Sequence, residues 1–385
     1  MLVLKQSPGD QFTMSLFVKL TNKIKVPHNS FYLWSTVFHQ WNNGHEQSIR
    51  QALFENITED YVIMGMKDHL TSNRFNPWTD CRPDVADYLD TLFSFYKDKK
   101  FILFTALENL DAYLDNENLI IIPWGGDITN QQHSYKTINP ILVKNFDSNY
   151  SFLSLNRNPR AGRYYSLLLT FGLDLEKHGL ISCMFQDQAY SLDQHFDWKF
   201  TNEQQGIKDI MNLGMNKLHN TQLHITDTVD IYGVAGWNNN AGNFNNSLTK
   251  YYKETFIEII NETSYVEKCF VTSEKTTNSI LGCCFPIWLS SPGTVKFYRE
   301  MGMDVFDDII DHSYDSIENP IDRMNAAITR NKELLTNPET VKILWKQNTS
   351  RFLKNVFFIK KGIFDFYQDR ATRLFDDVMA NENLR

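Results

Sequence analysis

The chain has 385 residues, 42% of them hydrophobic and 22% charged, the balance of a globular protein long enough for two domains that each bury a core. Asp and Glu number 46 against 38 Lys and Arg, a formal charge of −8, so the chain as a whole does not attract a polyanion. No apolar run reaches the roughly 18 residues that span a bilayer, and the five cysteines (Cys81, Cys183, Cys269, Cys283, Cys284) lack C-x-x-C spacing, which argues against a disulfide framework or a zinc centre.

The first residues, MLVLKQSPG, turn polar too quickly for a signal peptide, so the expected location is cytoplasmic, with no membrane span. A basic strip follows (Lys5, Lys19, Lys23, Lys25) beside Phe31, Tyr32 and Trp34; it reads as a solvated edge or as the lining of a nucleic-acid groove. Short β-rich runs then recur at 61–64, 101–105 and 119–122, and 84–95 carries a helical stripe of Val85, Tyr88, Leu89, Leu92 and Phe93.

The polar, turn-rich stretch 143–150 marks a domain boundary, after which strands are expected at 152–155, 181–185 and 285–289, with a helix over 163–173. The asparagine-rich stretch 237–246 cannot bury a core and reads as a loop, and 341–379 is largely helical in pattern. Apolar strands separated by helices define an α/β protein with parallel sheets flanked by helices. Its expected parts are an N-terminal domain (1–145), a second domain (146–340) and a C-terminal helical segment (341–385) that packs back on the first.

Two strand-to-helix turns carry the candidate chemistry. Arg157, Arg160 and Arg163 stand where a strand runs into a helix, an arrangement that suits a pyrophosphate clamp or, more plainly, a surface turn paired with carboxylates. Lys275 and Thr276 open a second helix after a strand over 269–272, and Lys275 there supplies a point charge to a diphosphate leaving group. Its neighbour Glu274 either binds a ribose hydroxyl or positions the lysine. The acidic stretch 303–315 borders a sugar pocket or is a solvated loop.

The absent motifs narrow the reaction. There is no D-x-D triplet, so a metal-independent mechanism is expected, with no cofactor beyond the donor substrate. There is no G-x-G-x-x-G, no G-x-x-x-x-G-K-[ST] and no G-x-S-x-G, which argues against a dehydrogenase, a P-loop nucleotidase and a serine hydrolase.

The segment from Glu262 through FVTSEKT (270–276) to CFPIWLSSP (284–292) resembles the donor region of the α1,3-fucosyltransferase family. The arginine turn is similar to that family's arginine before a Tyr-Tyr helix, with Arg160 matching best. TALEN (105–109) resembles its Thr-Gly-Glu-Asn motif, and the strand-like LIIIPW (119–124) resembles the element that comes next.

The resemblance implies a GT-B fold of two Rossmann-like domains, acceptor side first and nucleotide-sugar side second. It implies an inverting glycosyltransferase in which Arg157, Arg160, Arg163, Glu262, Glu274, Lys275 and Thr276 hold the nucleotide-sugar donor. Glu108 would take the acceptor proton, or else be a helix-start carboxylate, with Asp127 of PWGGD in reserve. The acceptor is a glycan or, alternatively, a hydroxylated base in DNA. A carbohydrate-binding protein of the same shape without catalysis is a third reading.

Overall fold

The computed structural model describes residues 30–34, 61–65, 94, 97–105, 118–123, 136–156, 161–183, 186, 200–225, 244–262, 265 and 274–382. Among them lie two four-stranded sheets, both parallel throughout. The first takes β1 (Ser30–Trp34), β2 (Tyr61–Gly65), β3 (Lys100–Thr105) and β4 (Leu119–Pro123) in chain order. The aromatic run Phe31, Tyr32 and Trp34 is thus strand, in register with Val62, Ile63 and Gly65.

The second sheet contains β5 (Phe152–Asn156), β6 (Gly179–Cys183), β7 (Ile257–Asn261) and β8 (Phe285–Leu289), in the order β6-β5-β7-β8. All residues of β6, β7 and β8 are buried, as expected when helices cover both faces of a parallel sheet. The chain therefore moves one way from β5 to β6 and returns past β5 to build β7 and β8. The reversal creates a switch point between β5 and β7, the place where open α/β sheets form a crevice outside their carboxyl ends.

Helix α1 (Ala161–Gly172) follows β5 and is buried along its whole length. It packs against α2 (Gln205–Asn220), whose buried residues Met211, Gly214 and Leu218 fall at i, i+3 and i+7. The two backbones meet closely because glycines face each other's chain: a Cβ on Gly214 would lie 1.9 Å from the Leu168 carbonyl oxygen, and one on Gly172 would lie 2.1 Å from that of Ile210. Next come α3 (Thr249–Glu254) before β7, α4 (Glu274–Leu281) before β8 and α5 (Thr294–Glu300) after it.

From Pro320 to Glu382 the chain is helical: α6 (Pro320–Arg330) and α7 (Lys332–Thr336), then, where the pattern over 341–379 predicts helix, α8 (Pro338–Gln347), α9 (Thr349–Phe357) and α10 (Ile363–Glu382). Asn319 caps α6 by accepting from Ile321 N at 2.9 Å and Asp322 N at 3.2 Å, with Pro320 in the first turn. Helix α10 rests against β4 of the first sheet, and just before it Lys360 donates to the Ile138 carbonyl. No helix among the described residues is long and apolar enough to cross a membrane.

The polar stretch 143–150 is fastened to the second sheet rather than hanging between elements. Lys144, only 5% exposed, sends its ammonium to the carbonyls of Tyr252 (2.7 Å), Thr255 (2.8 Å) and Gly282 (2.6 Å). Ile141 N donates to Leu281 O and Asn145 N to Lys253 O, both at 2.8 Å. Cys183, Cys283 and Cys284 are buried and in no disulfide, and burial pushes Cys283 up to about 12 and Cys284 to about 11, which keeps both protonated and inert.

Candidate functional site

At the switch point the β5–β7 ladder is short: Phe152 pairs with Ile257 and Leu153 with Glu258, and the pairing ends there. Towards the carboxyl ends, side chains join the neighbouring strands instead, β7 to β5 and β5 to β6. Asn261 Nδ2 donates to Asn156 Oδ1 at 3.0 Å, Tyr265 OH donates to Asn261 Oδ1 at 3.2 Å, and Asn156 N donates to Ser182 Oγ at 2.9 Å. Asn156 and Asn261 are almost wholly buried, so the mouth of the sheet is lined by polar groups already locked in place.

Three elements bring the candidate residues to this mouth. Helix α1 begins over β5 and carries Arg163; the residue before it is glycine because a Cβ there would strike the Tyr265 ring at 2.2 Å. Glu262 is the first residue past β7, its N–H held by Leu289 O at 2.9 Å. Helix α4 opens with Glu274, Lys275 and Thr276.

Arg163 is 4% exposed, and its Nε has no hydrogen-bond partner. A buried guanidinium nitrogen without an acceptor is costly and demands an explanation. Glu274 meets Lys275 Nζ at 3.0 Å. Burial pushes the Glu274 carboxyl upward, but the charge and hydrogen bond of Lys275, helped by the Arg163 charge, hold it down at about 2. Two cationic side chains and one carboxylate thus occupy a single electrostatic neighbourhood.

Glu262 is 2% exposed and half satisfied: Thr276 donates to its Oε1 at 2.8 Å, while Oε2 is buried without a partner. Thr276 in turn accepts from Trp288 Nε1 at 3.0 Å. The structure therefore brings Arg163, Glu262, Glu274, Lys275 and Thr276 to the carboxyl end of one sheet. Arg157, Arg160, Glu108, Asp127 and the strand expected over 269–272 lie outside the described residues.

Several residues of this region have no motif to announce them. Asn156 and Asn261 are visible in sequence only as asparagines ending strands. Arg323, 2% exposed, braces the mouth from α6 by donating to the carbonyls of Ser290 (2.9 Å), Glu318 (2.9 Å), Ile317 and Tyr265, and burial lowers it to about 10.

The acidic stretch 303–315 spends its carboxylates on structure. Asp304 and Asp308 clasp Arg351, Asp307 takes a two-pronged contact from Arg299, and Asp315 caps α5 by accepting from Val295 N at 3.0 Å and Lys296 N at 2.9 Å. Among the described residues no group of His, Cys, Asp and Glu is placed to hold a metal ion.

No protein-family model matches the chain, and no curated protein matches it. Among solved structures it is similar to "Trehalose-6-phosphate synthase. OtsA", at 12% identity over 97% of this chain and 78% of that one, with a TM-score of 0.42. It is also similar to an α,α-trehalose-phosphate synthase (UDP-forming) from Burkholderia vietnamiensis, at 8% identity over 98% and 80% of the two chains, with a TM-score of 0.39. At that level of likeness neither a shared fold nor a shared reaction follows.

Proposed function

We propose that the chain is a glycosyltransferase of GT-B type that moves a sugar from a nucleoside-diphosphate sugar to a hydroxyl acceptor. The observation that carries this reading is the convergence at the switch point of Arg163, whose Nε lacks an acceptor, with Lys275 and the half-satisfied Glu262. A diphosphate supplies an acceptor for the Arg163 guanidinium and a charge partner beside Lys275, and a sugar nucleotide supplies hydroxyls for a carboxylate.

In the reaction the acceptor oxygen attacks the anomeric carbon, the bond from that carbon to the diphosphate oxygen breaks, and the electron pair leaves with the diphosphate. Lys275 and Arg163 take up the charge that develops on it, a contribution realised most fully in the transition state. From the fucosyltransferase resemblance, Arg157 and Arg160 join the clamp and the acceptor proton passes to Glu108, with Asp127 as the reserve base and inversion at the anomeric carbon. The acceptor class suggested by the same resemblance is a glycan.

Thermal unfolding against UDP-, GDP-, CMP- and dTDP-sugars tests the reading. One nucleotide should raise the midpoint, since a ligand at 100 times its dissociation constant adds about 2.7 kcal/mol. Lys275→Ala should keep the fold and lose that rise. A Lys275→Ala protein that binds and transfers like the wild type removes the donor-site assignment.

A further inference from the structure

We propose that Trp288 and Thr276 are positioning residues that present Glu262 Oε2 as the hydroxyl acceptor of the bound donor, an inference that rests on the transferase reading. The direction of the chain of hydrogen bonds is fixed by what each group can do. The Trp288 indole N–H only donates, so the Thr276 oxygen accepts it at 3.0 Å. Tyr298 OH approaches the same oxygen at 3.4 Å. Thr276 has one proton, and that proton goes to Glu262 Oε1 at 2.8 Å. One carboxylate oxygen is consumed and the other is left buried with no partner, on the first residue past β7.

The backbone of Glu262 is equally fixed, because its N–H is held by Leu289 O at 2.9 Å. Trp288 is 1% exposed and Thr276 wholly buried, so neither can swing away to release the carboxyl. A rigid acceptor at the carboxyl end of β7 fits a neutral hydroxyl and repels a phosphate. The phosphate belongs with Lys275 and Arg163. Glu274, bound to Lys275 at 3.0 Å, orients that lysine, and Glu262 is the carboxylate that recognises hydroxyls.

The hydroxyl can come from the ribose or from the transferred sugar, and binding constants separate the two. Calorimetry would compare GDP, UDP, their 2′-deoxy forms and their sugar conjugates on the wild type, Glu262→Gln, Thr276→Val, Thr276→Ser and Lys275→Ala. Glutamine keeps the shape but, with its carbonyl oxygen taken by Thr276, turns an amide donor toward the ligand, so affinity should fall about 10- to 100-fold.

Thr276→Val should weaken binding in the same direction and Thr276→Ser should restore it, even though serine also leaves a methyl-sized gap; a merely structural threonine would not show that rescue. A penalty that disappears with the 2′-deoxy nucleotide assigns the ribose, and one confined to the sugar conjugates assigns the sugar. Wild-type affinity in Glu262→Gln, with binding lost in Lys275→Ala, overturns this inference and leaves the transferase standing. If the wild type binds none of these nucleotides, nor a CMP- or dTDP-sugar, both fall.

Discussion

Asn261 at the end of β7 donates to Asn156 at the end of β5 at 3.0 Å, across the gap where the ladder between these strands has stopped. This side-chain bond replaces the missing backbone pairing and sets the width of the mouth. Asn261→Ala removes it, takes the donor from the Asn156 amide oxygen and the Asn261 acceptor from the Tyr265 hydroxyl, and should cost about 1–3 kcal/mol. Donor affinity should fall with it, because Glu262 is the next residue. Denaturant unfolding and calorimetry on the one variant check both effects; a destabilised protein with unchanged affinity would confine the pair to structure.

Lys144 joins the stretch after the first sheet to three carbonyls around the second: Tyr252 in the last turn of α3, Thr255 between α3 and β7, and Gly282 in the turn before β8. Its ammonium nitrogen also lies 5.8 Å from the centroids of the Phe256 and Trp345 rings. Lys144→Met keeps the volume but strands those carbonyls, and should cost about 3–5 kcal/mol, read as a fall in the urea midpoint. A loss under about 1 kcal/mol would mean that water or a neighbour takes over the carbonyls.

The parts of the fold that can be read from sequence are those where one physical signal acts alone. β8 is a continuous apolar run, and α1 shows its helical stripe directly. β7 hides because Glu258 interrupts the apolar pattern of IEIIN, and the acid is accommodated there by the buried Tyr252 hydroxyl, at 3.0 and 2.9 Å from its two oxygens. Glu274 and Lys275 stand out as a charge pair opening a helix. The Asn156–Asn261 bond and the four carbonyls gathered by Arg323 join residues far apart in sequence, and no local pattern encodes them.

Two buried groups give the stability curve opposite slopes. Burial, against the Tyr252 hydrogen bonds, pushes Glu258 from 4.5 up to about 8; the folded state keeps a proton that the unfolded chain releases, so stability falls as pH rises from 4.5 to about 8. Burial lowers His312 from 6.5 to about 4; the unfolded chain gains a proton that the folded ring refuses, so stability falls as pH drops from 6.5 to about 4. Between 4.5 and 6.5 the two contributions cancel. Glu258→Gln should expose the histidine slope, with stability rising by up to about 1.4 kcal/mol per pH unit from 4 to 6.5 and then flat to 8. Urea midpoints across that range test it, and a variant whose profile matches the wild type would mean that Glu258 is ionised in the folded protein.

Helix α2 offers the same substitution twice with opposite expected signs. At exposed Gly206 a Cβ meets nothing within 4 Å, so Gly206→Ala gains helix propensity and reduces the freedom of the unfolded chain, for a stabilisation of about 0.5–1 kcal/mol. At Gly214 the added carbon would lie 1.9 Å from the Leu168 carbonyl oxygen and 2.8 Å from Gly172 N, both backbone atoms of α1 that cannot rotate aside. The two helices must then separate, and that strain outweighs the propensity gain, for a net loss of about 1–3 kcal/mol. Because α1 carries Arg163 at its start, Gly214→Ala should also weaken donor binding, whereas Gly206→Ala should leave it unchanged. Unfolding midpoints of the two variants, measured with and without the nucleotide that stabilises the wild type, give the comparison; a Gly214→Ala protein as stable as Gly206→Ala would mean that the helices do not touch through these glycines.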